Sequence, residues 1–168
     1  MAPELLLRGT IWLAVVAWAA SEVLRRGAER RQAARAVYTA GALLLVIHTM
    51  AAFELHHDWS HAAALAETAR RSAETTGFAS GSGLYLNYAF IALWLADAAW
   101  WWLRPHAYLH RARLAEALVF AFFVFMIVNG AVVFAAGPLR ILGAAAVVAA
   151  LAARLTRVPG RRLQEERA

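Results

Sequence analysis

Residues 115–136 read AEALVFAFFVFMIVNGAVVFAA, a run in which Glu116 and Asn129 are the only polar side chains. A bilayer core of about 30 Å needs roughly 20 apolar residues of helix, so this stretch alone is long enough to cross. The rest of the chain agrees with it. Of 168 residues, 62% are hydrophobic and 17% charged, with a mean hydropathy of +0.52. A soluble domain is roughly 45–50% apolar and about 25% charged, and a chain this short could not hide the excess. The sequence therefore predicts an all-α polytopic membrane protein.

Four further stretches have the same character: Leu5 to Leu24, Val37 to Leu55, Leu84 to Leu103, and Leu139 to Leu155. Together with Ala115 to Ala136 they predict a bundle of five transmembrane helices. The fifth is short and carries Arg140 near its start, so four spans plus a re-entrant or surface helix is the alternative. Gly137-Pro138 reads as the turn before it, because proline cannot continue a preceding helix. Ala62 to Thr75, rich in Ala, Glu and Arg, predicts a short outer helical extension of the second span. Residues 1–158 read as one membrane domain and 159–168 as a polar cytoplasmic tail.

All 17 basic residues are arginine, and their distribution sets a direction. Thirteen follow the first, third and fifth stretches; four (Arg8, Arg70, Arg71 and Arg140) lie on the other side. The positive-inside rule places the thirteen in the cytoplasm, with the N-terminus outside and the C-terminus inside. The first stretch reads as a retained span. Its leading region is nearly neutral, and the arginines that follow it resist translocation. An alanine-rich, lysine-free composition points to a GC-rich bacterial genome and so to the bacterial inner membrane. Trp59 and the Trp100-Trp101-Trp102 run predict interfacial anchors, where an apolar ring can keep its N–H near a partner.

Composition also excludes chemistry. With no cysteine, thiolate metal sites, iron–sulfur clusters, disulfides and thiol catalysis are out. No phosphate-loop or dinucleotide glycine pattern occurs: Gly81-Ser82-Gly83 lacks the third glycine. The clustering of arginines between apolar runs argues against nucleic acid, and the missing loops argue against nucleotides. The expected partners are the lipid bilayer and other membrane subunits.

Ionisable groups within or beside a span are functional candidates by default, and interhelical hydrogen bonding is the plainer alternative. On one continuous helix, Glu54, His57, Asp58 and His61 share a face, a Glu-x-x-His pattern followed by His at i+4. Such a face could grip copper, zinc, iron or manganese. A rise of 1.5 Å per residue puts Thr10, Glu54, Asn87 and Asn129 at roughly 21–25 Å from the cytoplasmic boundary. With Tyr88 nearby, they predict a polar pocket open to the outside. His48, at roughly mid-membrane, is the candidate cofactor ligand. Bis-histidine haem is disfavoured, because no second histidine lies at that depth. Asp97, in the inner half of the third span, is expected to be a structural ion-pair or hydrogen-bond site, with Arg104 within snorkelling reach, and a proton path through Asp97, His48 and Glu54 is the second reading. The function expected from these features is a small integral subunit or accessory protein of a membrane complex, with a metal or redox cofactor at its outer face. The alternatives are a membrane-embedded metal-dependent enzyme and a purely structural subunit.

Overall fold

The computed structural model describes residues 2–135 and 137–156. Every regular element among them is helical. Helix α1 spans Ala2–Leu24, α2 Arg31–His56, α3 His61–Thr76, α4 Gly83–Leu103, α5 Pro105–Leu109, α6 Arg113–Val128 and α7 Pro138–Leu155. A single 3₁₀ turn, Ala28–Arg30, precedes α2, and a π-helical turn, Asn129–Val133, extends α6. Ala136 and the tail 159–168 lie outside the described residues.

Three helical stretches are long and apolar enough to cross a membrane: Glu4–Leu24, Arg31–His56 and Arg113–Val133. The other two long helices fall outside that group. Over its 21 residues α4 carries Asn87, Asp97 and several tyrosines and tryptophans. The 18 residues of α7 hold an arginine near each end, Arg140 and Arg154.

The five long helices run alternately up and down. At one end of the bundle the C-terminal ends of α1, α4 and α7 meet the N-terminal ends of α2 and α6; the salt bridges and hydrogen bonds described below prove that convergence. Helix α1 packs along α2 and α7, α2 along α4, and α6 against α4 and α7. In a bilayer, apolar burial between helices gains little over lipid, so close packing and polar contacts decide association. Small residues supply the closeness: Ala14, Ala42, Ala98, Ala150 and Ala153 are buried. Gly41 is the tightest point of the α1–α2–α4 crossing. A Cβ there would lie 2.7 Å from the Trp94 ring and 3.3 Å from the Ala14 carbonyl oxygen. Around that crossing, Phe123 meets Trp94 edge-on at 5.0 Å between ring centroids, and Trp18 stacks on Phe123 at 6.1 Å.

Local signals set the ends. Pro105 opens α5 and Pro138 opens α7, where a missing N–H costs nothing. Gly137, at φ 66°, makes the turn into α7 that the sequence predicts. Ser60 caps α3 by accepting from the Ala63 N–H at 3.2 Å, and Gly77 closes it at φ 81°.

One expectation is corrected here. Helix α3 does not continue α2. The chain leaves the helix after His56, and Asp58 and Trp59 take left-handed backbone angles of φ 45° and 58°. Asp tolerates that region and tryptophan rarely does, so Trp59 gives no cue to the break, and Ser60 is the local signal that a new helix starts.

Candidate functional site

The densest chemistry lies at the end where those five helix termini meet. Asp97, on α4, is 5% exposed and accepts three hydrogen bonds. The Tyr38 hydroxyl of α2 donates at 2.9 Å, the Tyr108 hydroxyl of α5 at 2.8 Å, and Arg111 Nη1 at 2.6 Å. A second carboxylate, Glu22 on α1, lies 3.4 Å from Arg25 and 3.6 Å from Arg154 of α7. Arg154 also meets Glu116 of α6 at 2.9 Å. Every long helix thus contributes a charged or phenolic group to one cluster.

Sequence reasoning makes Asp97 a structural ion-pair or hydrogen-bond site with Arg104 in reach. It is buried in an ion pair, but its partner is Arg111, and Arg104 is exposed. The reason lies in the chain after α4. Pro105 starts a five-residue helix that turns back under the bundle, so Tyr108 and Arg111 come up beside Asp97. A count of turns along α4 finds Arg104 and misses that return. Tyr38, Arg25, Arg111, Arg154 and Glu116 go unnoticed as members of a site when the sequence is read alone. The signal that could have raised them is the clustering of arginine and tyrosine at one set of ends of the apolar stretches.

Aromatic rings complete the cluster. The Arg25 guanidinium lies 4.2 Å from the Trp101 ring and 4.7 Å from the Tyr38 ring, and Trp101 stacks on Tyr108 at 4.8 Å and 9°. Of the three consecutive tryptophans, Trp100 and Trp102 fit the interfacial role, being 39% and 45% exposed. Trp101 is 3% exposed and serves as a cation–π platform. Burial by itself would lower the Arg25 pKa; Glu22, with Tyr108, Tyr38 and Asp97 behind it, outweighs burial and holds the guanidinium above its ordinary value. Burial pushes the Tyr108 phenol up to about 12, with Asp97 adding to it and Arg25 opposing. The cavity among Trp18, Glu22, Arg25, Asp97, Arg111 and Arg154 is about 10 Å³, the size of a single water site. No substrate fits there. The arrangement neutralises charge and ties helices together.

The opposite end of the bundle, around His56–His61, differs from the expectation more sharply. The break after His56 takes His57, Asp58 and His61 off any common helical face with Glu54. Among the described residues no three His, Asp or Glu side chains come close enough to hold a metal. Glu54 accepts from Trp59 Nε1 at 2.5 Å. His57 packs edge-on against Phe53, at 5.6 Å between ring centroids. Asp58 is exposed. His61, now the first residue of α3, faces α4, with Nδ1 3.1 Å from the Tyr88 hydroxyl and Nε2 3.5 Å from that of Tyr85.

The predicted polar pocket is not assembled either. Thr10 is buried and donates to the Leu6 and Leu7 carbonyls of its own helix, at 2.8 and 3.1 Å. Asn87 is exposed, and Asn129 donates back to the Phe125 carbonyl at 2.8 Å. Equal depth put these residues in one layer, and depth says nothing about which way each helix is rotated. His48 connects helices: its Nδ1–H donates to the Leu7 carbonyl at 3.0 Å and lies 3.4 Å from Thr10 Oγ1. No contact leads from Asp97 to His48 or from His48 to Glu54 among the described residues, so the expected proton path has no visible links. Comparison with protein families, curated proteins and solved structures finds no match for the chain.

Proposed function

We propose that the chain is a five-span protein of the bacterial inner membrane that serves as a small integral subunit or accessory protein of a larger membrane assembly, in a scaffolding capacity. The spans are α1, α2, α4, α6 and α7, with the N-terminus outside. The observation that carries this reading is the partnering of the buried charges. Asp97, Glu22, Arg111 and Arg154 are tied to one another's helices and to Glu116, Tyr38 and Tyr108. Charges in a transport or catalytic path must change partners, whereas these hold five helix ends in a fixed register. The arginine-rich loops lie at this same end, which supports a cytoplasmic placement. The metal or redox part of the sequence expectation does not enter this reading, because the helical face that would supply its ligands is broken at His57–Ser60.

The test is extraction of the tagged chain from its native membranes in mild detergent at native expression level. Migration on a native gel with a partner at fixed stoichiometry, recovered again when the partner carries the tag, is the expected result. A chain that runs alone under conditions that preserve other membrane complexes overturns the subunit reading.

A further inference from the structure

The segment that returns after α4 carries two histidines that the charge cluster does not use. Helix α5 reads Pro105-His106-Ala107-Tyr108-Leu109, and His110 follows as its C-terminal cap. At about 100° per residue, positions four apart share a face and positions two apart do not. Tyr108 turns inward, 3% exposed, with its hydroxyl on Asp97 and its ring on Trp101. His106 and His110 turn outward together. Both are exposed, with ring centroids 4.2 Å apart and ring planes 27° apart. A helix this short does not hold by itself. Here Tyr108 and Arg111 pin it to Asp97, one between the two histidines and one just after them, so the imidazoles stand on an anchored backbone.

Their nitrogens are open to a ligand. His110 Nδ1 lies 2.9 Å from the His106 carbonyl oxygen. A carbonyl only accepts, so Nδ1 carries the proton and the lone pair of the neutral ring is on Nε2. A carbonyl holding the far nitrogen is the arrangement that orients a metal-ligating imidazole. The His106 ring makes no hydrogen bond among the described residues.

We propose that His106 and His110 form a binding site for one divalent transition-metal ion, zinc or copper(II), held by Nε2 of His110 and a ring nitrogen of His106. Histidines at i and i+4 are the pair with which a helix grips zinc in hydrolytic sites. Ala107 stands where such a site carries its glutamate base, so this pair binds an ion without the group that would activate water. The donor set also selects the ion. Among the described residues no third His, Asp or Glu joins the pair, and Arg104 and Arg113 flank the segment. Magnesium and calcium, which need oxygen ligands, find none here, whereas imidazole suits zinc and copper. Water completes the coordination. The site lies at the other end of the bundle from Glu54 and His57, and it does not depend on the scaffolding role.

The experiment is equilibrium dialysis of the full chain in detergent, carrying no polyhistidine tag, against zinc chloride and, separately, copper(II) chloride, with the bound metal measured by elemental analysis. One ion per chain is expected, undisturbed by excess magnesium. His106→Ala and His110→Ala should each lower the affinity by more than about tenfold, the least that losing even a supporting partner costs many metal sites. His61→Ala, at the opposite end, should leave it unchanged. Electron paramagnetic resonance of the copper-loaded wild type should show coupling to two nitrogens, which counts the ligands without any substitution. No bound ion of either kind, affinity undiminished in both α5 variants, affinity lost in His61→Ala, or coupling to a single nitrogen each overturns the site.

Discussion

Asp97 concentrates the energetics of the bundle in one side chain. Its side chain is 4% exposed and that of Arg111 6%. Removing one partner of such a pair leaves the other charge buried and uncompensated, which costs about 3–5 kcal/mol. Asp97→Asn is therefore expected to lower stability by that amount in detergent unfolding, and a loss within about 0.5 kcal/mol of wild type would refute the pair's importance. Replacing both, as Asp97→Leu with Arg111→Met, should recover only part of the loss. The Tyr38 and Tyr108 hydroxyls would then lose their acceptor, and an unmet buried donor costs about 1–3 kcal/mol. Tyr108 makes the same point through pH. Its phenol is raised to about 12, so the folded state favours the neutral form. The stability this contributes is fully present below the ordinary tyrosine value of about 10 and is lost as pH rises through about 12. An ultraviolet phenolate titration, differenced against Tyr108→Phe, should place this group late, and a Tyr108 signal near 10 would contradict the geometry. At this scale the sequence told that Asp97 needs a partner. It could not tell which, because the partner arrives through the fold of α5.

Elements were more legible than residues. The ends of α1, α4 and α7 fall close to those the apolar runs predict, since caps, prolines and the polar flanks are local signals. The failure at His57–Ser60 is informative for the same reason. With no glycine or proline between His56 and His61, the helical pattern runs on by count, and the candidate metal face was an extrapolation through a turn. Ser60, as the cap of α3, was the readable warning. Helix α3 itself stands apart from the bundle's charge logic. Glu67 accepts from Arg70 at 2.6 and 2.9 Å and from Arg71 at 2.8 Å, and these hydrogen bonds hold its carboxyl down at about 2. A depressed carboxylate contributes above its ordinary value of about 4.3 and stops contributing as pH falls through about 2. Two-dimensional NMR of the side-chain carboxyls should find Glu67 still ionised well below the ordinary glutamate value of about 4.3. Because these pairs are exposed and screened, Glu67→Gln is expected to fray α3 and leave the unfolding midpoint of the bundle in place. A midpoint that drops with α3 would mean that α3 is part of the cooperative core.

For the whole molecule, two independent asymmetries coincide. One is the arginine bias between loops, which is visible in the sequence. The other is the buried ion network, which only the folded chain reveals, and both belong to the same end of the bundle. That coincidence has a physical basis. Charged side chains near a membrane boundary can reach headgroups and water during insertion, then close on one another as the helices pack. It also makes orientation testable with little background, since the chain has no cysteine of its own. Thr75→Cys, on the exposed end of α3, should react with a membrane-impermeant maleimide in intact cells. Ala107→Cys, exposed on α5, should react only after the membrane is opened. The reverse pattern would put thirteen arginines outside, against the positive-inside rule, and would carry the Asp97 network to the outer leaflet with them. This one labelling experiment therefore fixes the side of the membrane on which the Asp97 network operates, and with it the side from which the partners proposed above would reach that end of the bundle.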